Sequence, residues 1–327
     1  MFVPFSVLQI YHIVSYPGWR RVWGGCLVTL EDRRFAILAF ALLVMFWGSA
    51  FTTIKIALGY SPPVLFAGTR TLSCGAVMAV AALVWGGSAN LRRDWPIYLL
   101  LAAFNVVGFM GLQTFAVMYM PSGSAAVVIY LQPILVGLLA FLVLGESLSP
   151  AKVVGLLLGF SGVVAVSAGS FSGASLGTPL GVVFAVGSAV SWALGTVYFK
   201  KYGERLSMLW SVALPFLLGG LFLTGLGLVV EPFSAIYWNQ TFVASWLYTV
   251  LAGTALAWML WLGLVRAGEA SRVAAYVFFV PLVSVLLGVL FLGEPLSPWL
   301  LVGAALVVSG IYLVNRQGQE EEEKKAE

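Results

Sequence analysis

Between residues 35 and 314 the chain is a succession of ten apolar stretches, at 35–57, 63–84, 95–117, 122–143, 150–168, 178–199, 207–229, 241–263, 271–292 and 298–314. Pro, Gly or charged residues separate each stretch from the next, and most approach the roughly 20 residues that a helix needs to cross a bilayer core. Apolar residues make up 61% of the chain and charged residues 9%, against about a quarter charged in a soluble domain. Water would not hold such a chain in solution, so lipid must solvate it. In hydrocarbon the backbone can satisfy its N–H and C=O groups only within helices or a closed barrel, and stretches of this length select helices. The expected fold is an all-α membrane protein with ten transmembrane helices.

Charge placement orients these helices. Arg20, Arg21, Arg33 and Arg34 precede the first stretch, Arg92 and Arg93 follow the second, and Lys152 follows the fourth. Lys200, Lys201 and Arg205 follow the sixth, Arg266 and Arg272 flank the eighth-to-ninth loop, and Arg316, Lys324 and Lys325 close the chain. The alternate loops, "GYSPP", "MPSG", "GSFSGASLG" and the stretch around Glu231, hold no Lys or Arg. By the positive-inside rule both termini are cytoplasmic, which requires an even number of crossings. Residues 1–34, broken by Pro4, Pro17 and two arginines, form a cytoplasmic segment too short to span. They are either an interfacial helix or an extension preceding the functional start, since "LEDRR" before residue 35 reads as an ordinary cytoplasmic beginning. Residues 315–327, "NRQGQEEEEKKAE", are expected to be a disordered cytoplasmic tail.

A repeat divides the chain. "GESLSP" at 145–150 returns as "GEPLSP" at 293–298, and residues 125–163 align with 273–311 without a gap, 16 of 39 positions being identical. Matches of Leu and Val carry little weight in apolar helices. Pro133 with Pro281, Gly145-Glu146 with Gly293-Glu294, and Ser161-Gly162 with Ser309-Gly310 carry more. Each half then holds five crossings, 35–169 and 178–314, joined by an external linker at 170–177. Five is odd, so the halves must enter the membrane in opposite senses: two inverted five-helix repeats, with a site expected near the midplane between them. In each "GE-LSP" turn Gly stops one helix, Glu sits at the water boundary, and Ser then Pro start the next.

"WGSAF" at 47–51, then Lys55, Pro63 and Arg70, followed by Pro, eleven residues and "GE-x-LSP" at 133–150 and again at 281–298, resembles the EamA-type branch of the drug/metabolite transporter superfamily. The resemblance covers residues 35–314. It implies a ten-helix bundle that exports small metabolites such as amino acids across a bacterial or archaeal inner membrane. It also implies a central cavity lined by the first, third, fourth, sixth, eighth and ninth helices, with the fifth and tenth peripheral and the second away from the cavity.

Polar groups inside hydrocarbon are costly, which makes each one a candidate. Arg70 lies about seven residues into the second helix, where it either binds a substrate carboxylate through a bidentate fork or ties neighbouring carbonyls together. Lys55 is near enough to its helix end to snorkel. Asn105 and Gln113 share a broad face of the third helix, and Tyr130 and Gln132 stand on the fourth. Their counterparts 148 residues on are Gly253, Trp261, Phe278 and Val280, so one wall is polar and the other aromatic or apolar. Each amide serves either a substrate or a neighbouring helix. Trp47, Trp192, Trp258 and Tyr276 complete the candidate lining, with interfacial anchoring as the other role of a Trp.

No Asp or Glu falls inside a predicted span, which disfavours proton-coupled antiport of cations through a buried carboxylate and points to neutral, zwitterionic or anionic solutes. Cys26, Cys74 and the single His12 cannot assemble a metal or catalytic cluster, so no catalytic residue, metal or cofactor is expected. The net charge of +4 is spread over loop ends and leaves no nucleic-acid footprint. The expected partners are the bilayer and a small-molecule substrate, with the chain acting as a monomer or homodimer. The other function considered is a membrane-embedded protein that does not transport: a scaffold or sensor, or a lipid-modifying enzyme, which would need a His, Asp or Glu cluster at the interface.

Overall fold

A computed structural model of the chain describes residues 33–85, 89–120, 122–168, 178–292 and 298–326. Residues 1–32 and the second "GE-LSP" turn at 293–297 lie outside the described residues. All described secondary structure is helical. The helices are α1 (Arg33–Leu58), α2 (Pro63–Trp85), α3 (Leu91–Tyr119), α4 (Ser122–Ile129 and Gln132–Leu144), α5 (Pro150–Ala168), α6 (Pro179–Tyr202), α7 (Met208–Val230), α8 (Gln240–Ala267), α9 (Ala270–Ala275 with Phe279–Leu292) and α10 (Pro298–Ala326). Seven of them, α1 to α4 and α6 to α8, are long and apolar enough to cross a membrane. Three shorter apolar helices, Pro150–Ala165, Ala270–Ser284 and Leu301–Asn315, belong to α5, α9 and α10.

One expectation is corrected at the end of the chain. The tail at 315–327 does not leave α10 as a disordered segment: the helix continues through it to Ala326. Apart from Gly318, the Gln, Glu, Lys and Ala that make up most of the run after Arg316 are strong helix formers, and nothing in it stops a helix already under way.

Glycine sets the closest helix contacts. α2 lies against α7 and α5 against α10, and in both pairs glycines let backbone meet backbone. A Cβ on Gly155 of α5 would stand 2.6 Å from the Gly310 carbonyl oxygen of α10, and one on Gly162 would stand 2.7 Å from that of Gly303. The remaining helices, α1, α3, α4, α6, α8 and α9, pack on one another at the centre.

Helical irregularities recur at the spacing of the sequence repeat. α3 is π-helical over Ala102–Gly111 and α8 over Leu251–Leu256. α4 breaks at Tyr130 and Leu131, and α9 tightens to a 3-10 turn at Tyr276–Phe278. A π segment interrupts the α-helical ladder, and inside a membrane a neighbouring Ser or Thr can donate to the carbonyls it frees. α6 supplies two such residues: Ser188 Oγ donates to the Phe109 carbonyl at 3.0 Å and Ser191 Oγ to that of Phe104 at 2.9 Å.

The first "GE-LSP" turn does what its residues predict and one thing more. Gly145 ends α4 at φ 71, in the left-handed region that favours glycine. Glu146 then reaches across to the first turn of α9, where its carboxylate accepts from Ala270 N at 2.7 Å, Ser271 N at 3.1 Å and the Ser271 hydroxyl. Beside it Lys152 Nζ meets Glu269 at 3.2 Å and Ser271 Oγ at 3.0 Å, and Arg272 meets Glu269 at 2.7 Å. At this end of the bundle, which carries the basic residues, polar contacts thereby tie the two halves of the chain together. At the opposite end Glu231 caps α2 through Val64 N and Leu65 N at 3.1 and 2.8 Å, and Lys55 Nζ donates to the Val117 carbonyl at 3.0 Å.

Candidate functional site

A cavity with about 390 Å³ of empty space, its open mouth included, lies between α1, α2, α3, α4, α6 and α8. Most of the wall is apolar: Ala50, Phe51, Ile54, Met110, Ile129 and Gly253 surround a few polar groups. The polar residues of the lining are Arg70, Gln113 and Tyr130, which share it with Trp47, Trp192, Trp258 and Phe109. Among the described residues, no Asp or Glu lines it.

The floor is an aromatic plug. Phe109 stacks on Trp192 with centroids 4.7 Å apart, and Trp47 meets Trp192 edge-on at 5.2 Å. Trp261 tilts against both tryptophans at 5.5 and 5.6 Å, while Phe216 meets Trp258 at 5.3 Å. Offset and edge-on ring pairs of this kind add about 0.5–1.5 kcal/mol each beyond the area they bury, so the plug is a stable packing unit. It lies between the cavity and the basic end.

Six of the ten residues singled out in the sequence therefore meet at one cavity: Trp47, Arg70, Gln113, Tyr130, Trp192 and Trp258. The other four do not reach its wall. Asn105 stands one helical turn below Phe109, where Gly195 of α6 makes room for its amide. Gln132 donates from Nε2 to Thr196 Oγ1 at 3.4 Å, joining α4 to α6. Trp261 forms the underside of the plug, and Tyr276 packs on Phe40 with centroids 4.8 Å apart. Arg70 carries a correction of its own. The second helix, expected to stay away from the cavity, contributes this residue to its lining.

The cavity residues have few internal obligations. Arg70 is 2% exposed, yet its Nε and Nη2 have no hydrogen-bond partner, and neither have the indole nitrogens of Trp192 and Trp258. Below the plug the same holds for Asn105 Oδ1, Gln132 Oε1, Trp261 Nε1 and the Tyr276 hydroxyl. Buried polar atoms are nearly always paired, so unpaired ones mark where a water, another molecule or another conformation completes them. Sequence reasoning missed the cavity residues Ile54 and Ile129, which carry no polar signal, and the serines of α6 that hold the π segment of α3.

The model of the EamA-like transporter family matches the chain twice, over residues 34–168 and 179–316. A Bacillus subtilis protein named "Uncharacterized transporter YvbV" is 45% identical over 290 residues, which is 89% of this chain and 94% of its own length. A Salmonella typhimurium protein named "Probable amino-acid metabolite efflux pump" is 30% identical over 288 residues, 83% of this chain and 92% of its own. A solved crystal structure of 23% sequence identity superposes with a TM-score of 0.76, covering 89% of this chain and 100% of the other, and so shares the fold.

Proposed function

The chain belongs to the EamA-like transporter family, and from that premise we propose that it exports small metabolites such as amino acids by alternating access. Its relatives are named as transporters and efflux pumps rather than enzymes, and it is a multi-pass membrane protein. Ten crossings in two inverted five-helix halves, 35–169 and 178–314, place both termini and the basic end in the cytoplasm of a bacterium or archaeon. The double family match supports this arrangement, as do the π and 3-10 irregularities that return at the sequence spacing.

The cavity between the halves carries the proposal, with polar groups on one side and an aromatic wall on the other. A small solute enters it as an amphipathic body, polar end toward Arg70, Gln113 and Tyr130 and apolar end against the rings. In the described conformation the cavity lies above the plug and the basic end is shut. Rocking of the halves would open the other side. Asn105, Gln132, Trp261 and Tyr276, each with a polar atom that now lacks a partner, would line the path in that second state.

Counterflow into proteoliposomes loaded with a panel of amino acids and small organic acids tests this directly. Saturable exchange of at least one solute is expected. Gln113→Ala and Trp258→Phe should each lower its rate about tenfold, the loss of one good contact of the kind worth about 1.4 kcal/mol, while a ring at 258 keeps the plug filled and the protein folded. Exchange of no solute in the panel would refute transport of this class, and full rates in both variants would place the site elsewhere.

A further inference from the structure

Arg70 is a cation without a counter-charge. Among the described residues no carboxylate comes within ion-pairing distance of it, and the nearest compensation is the face of Phe66, 5.3 Å from the guanidinium carbon. A ring face attracts the charge and accepts none of the five N–H donors. Burying an unpaired guanidinium in a membrane protein is among the costliest arrangements available to it, and it persists where a site is completed by something else. Among the described residues the cavity wall supplies nothing comparable for a positive group on the cargo, since it holds no Asp or Glu.

From these observations, and resting on the transport reading above, we infer that Arg70 is the receptor for the carboxylate of the cargo. The cargo class is then a monoanionic carboxylic acid with an apolar or aromatic body, and an α-ammonium group is dispensable. The planar fork of Arg70 presents paired donors to both carboxylate oxygens. The remainder of the molecule lies against Trp47, Trp192 and Trp258, and Gln113 and Tyr130 flank the polar end. An amino acid is accepted through its carboxylate and gains little from its amine.

The three cavity tryptophans make binding readable on the purified full-length chain in detergent, in chloride-free buffer. Four probes of equal body size are titrated: 3-phenylpropionate, its primary amide, 3-phenylpropylamine and L-phenylalanine. The acid should quench tryptophan fluorescence saturably, with the amide and amine at least about tenfold weaker, the discrimination expected of a charge-assisted bidentate contact. L-Phenylalanine should bind within about threefold of the acid. Arg70→Gln should weaken the acid about tenfold and leave the amide unchanged, with Arg70→Lys between them because an ammonium offers no fork. Equal binding of acid and amide, an unaltered acid affinity in Arg70→Gln, or L-phenylalanine binding far more tightly than the acid would each overturn the inference. So would chloride displacing the acid at matched concentration, which would make Arg70 an inorganic anion site. The comparison of acid with amide uses the unmodified protein and stands even if the variants misfold. Failure of all four probes also overturns it, whereas counterflow of neutral solutes would leave the export function intact.

Discussion

A Gly155→Leu chain is expected not to accumulate as folded protein, and Gly155→Ala to melt several degrees below the parent in detergent. The cause is geometric. Gly155 faces the Gly310 carbonyl oxygen at 2.6 Å from where a Cβ would stand, and Val314 N at 2.8 Å, and Gly310 in turn faces the Gly155 oxygen and Gly159 N at 2.5 Å. Backbone atoms cannot rotate aside as a side chain does, so a methyl group forces α5 and α10 apart along their whole length. Overpacking of this type costs about 1–3 kcal/mol for a methyl and more for a larger group. In lipid the loss is not offset by hydrophobic attraction, because separated helices meet acyl chains as apolar as each other. Gly225 of α7 is the matched control. Nothing lies within 4 Å of its added Cβ, so Gly225→Ala should melt with the parent or slightly above it. Identical melting of Gly155→Ala and Gly225→Ala would mean that α5 and α10 do not meet through these glycines.

The helices were legible because a membrane leaves the backbone so few options. Pro63, Pro150, Pro179 and Pro298 start helices, and Gly145 stops one, as their conformational limits require. The candidate residues were legible by rarity: Arg70, Gln113 and Tyr130 stand out in apolar helices, and the structure brings them to one cavity. Depth was not legible. Asn105 and Gln132 have the same chemistry and share helices with cavity residues, yet they lie beneath a plug made by Phe109 and Trp192 on two different helices. No spacing within α3 or α4 encodes where rings from α1, α6 and α8 converge. The role of Glu146 was half legible, since a Gly-Glu pair signals a helix end, whereas its partners on α9 lie 124 and 125 residues away.

Glu146→Ala is expected to open the basic end. Its carboxylate receives two backbone N–H groups and one hydroxyl at the first turn of α9, where the helix dipole also favours a negative charge. Hydrogen bonds to a charged acceptor contribute about 1.5–3 kcal/mol each, so their combined loss, less what water restores, is about 3 kcal/mol. At 1.4 kcal/mol per decade the opening equilibrium moves about a hundredfold. Glu146→Gln keeps one acceptor oxygen without the charge and should move it about tenfold. The readout is a thiol at Phe40→Cys in a chain with Cys26→Ser and Cys74→Ala, because Phe40 is 6% exposed and packs on Tyr276 of α9. A membrane-impermeant maleimide added from the basic side should label it slowly with Glu146 in place, and faster by those factors in the two variants. Unchanged labelling would mean that Lys152, Glu269 and Arg272 hold α9 without help. The outcome bears on transport because a chain that moves cargo by alternating access must break this contact once per cycle, and a contact worth a few kcal/mol is strong enough to hold one state and weak enough to be released.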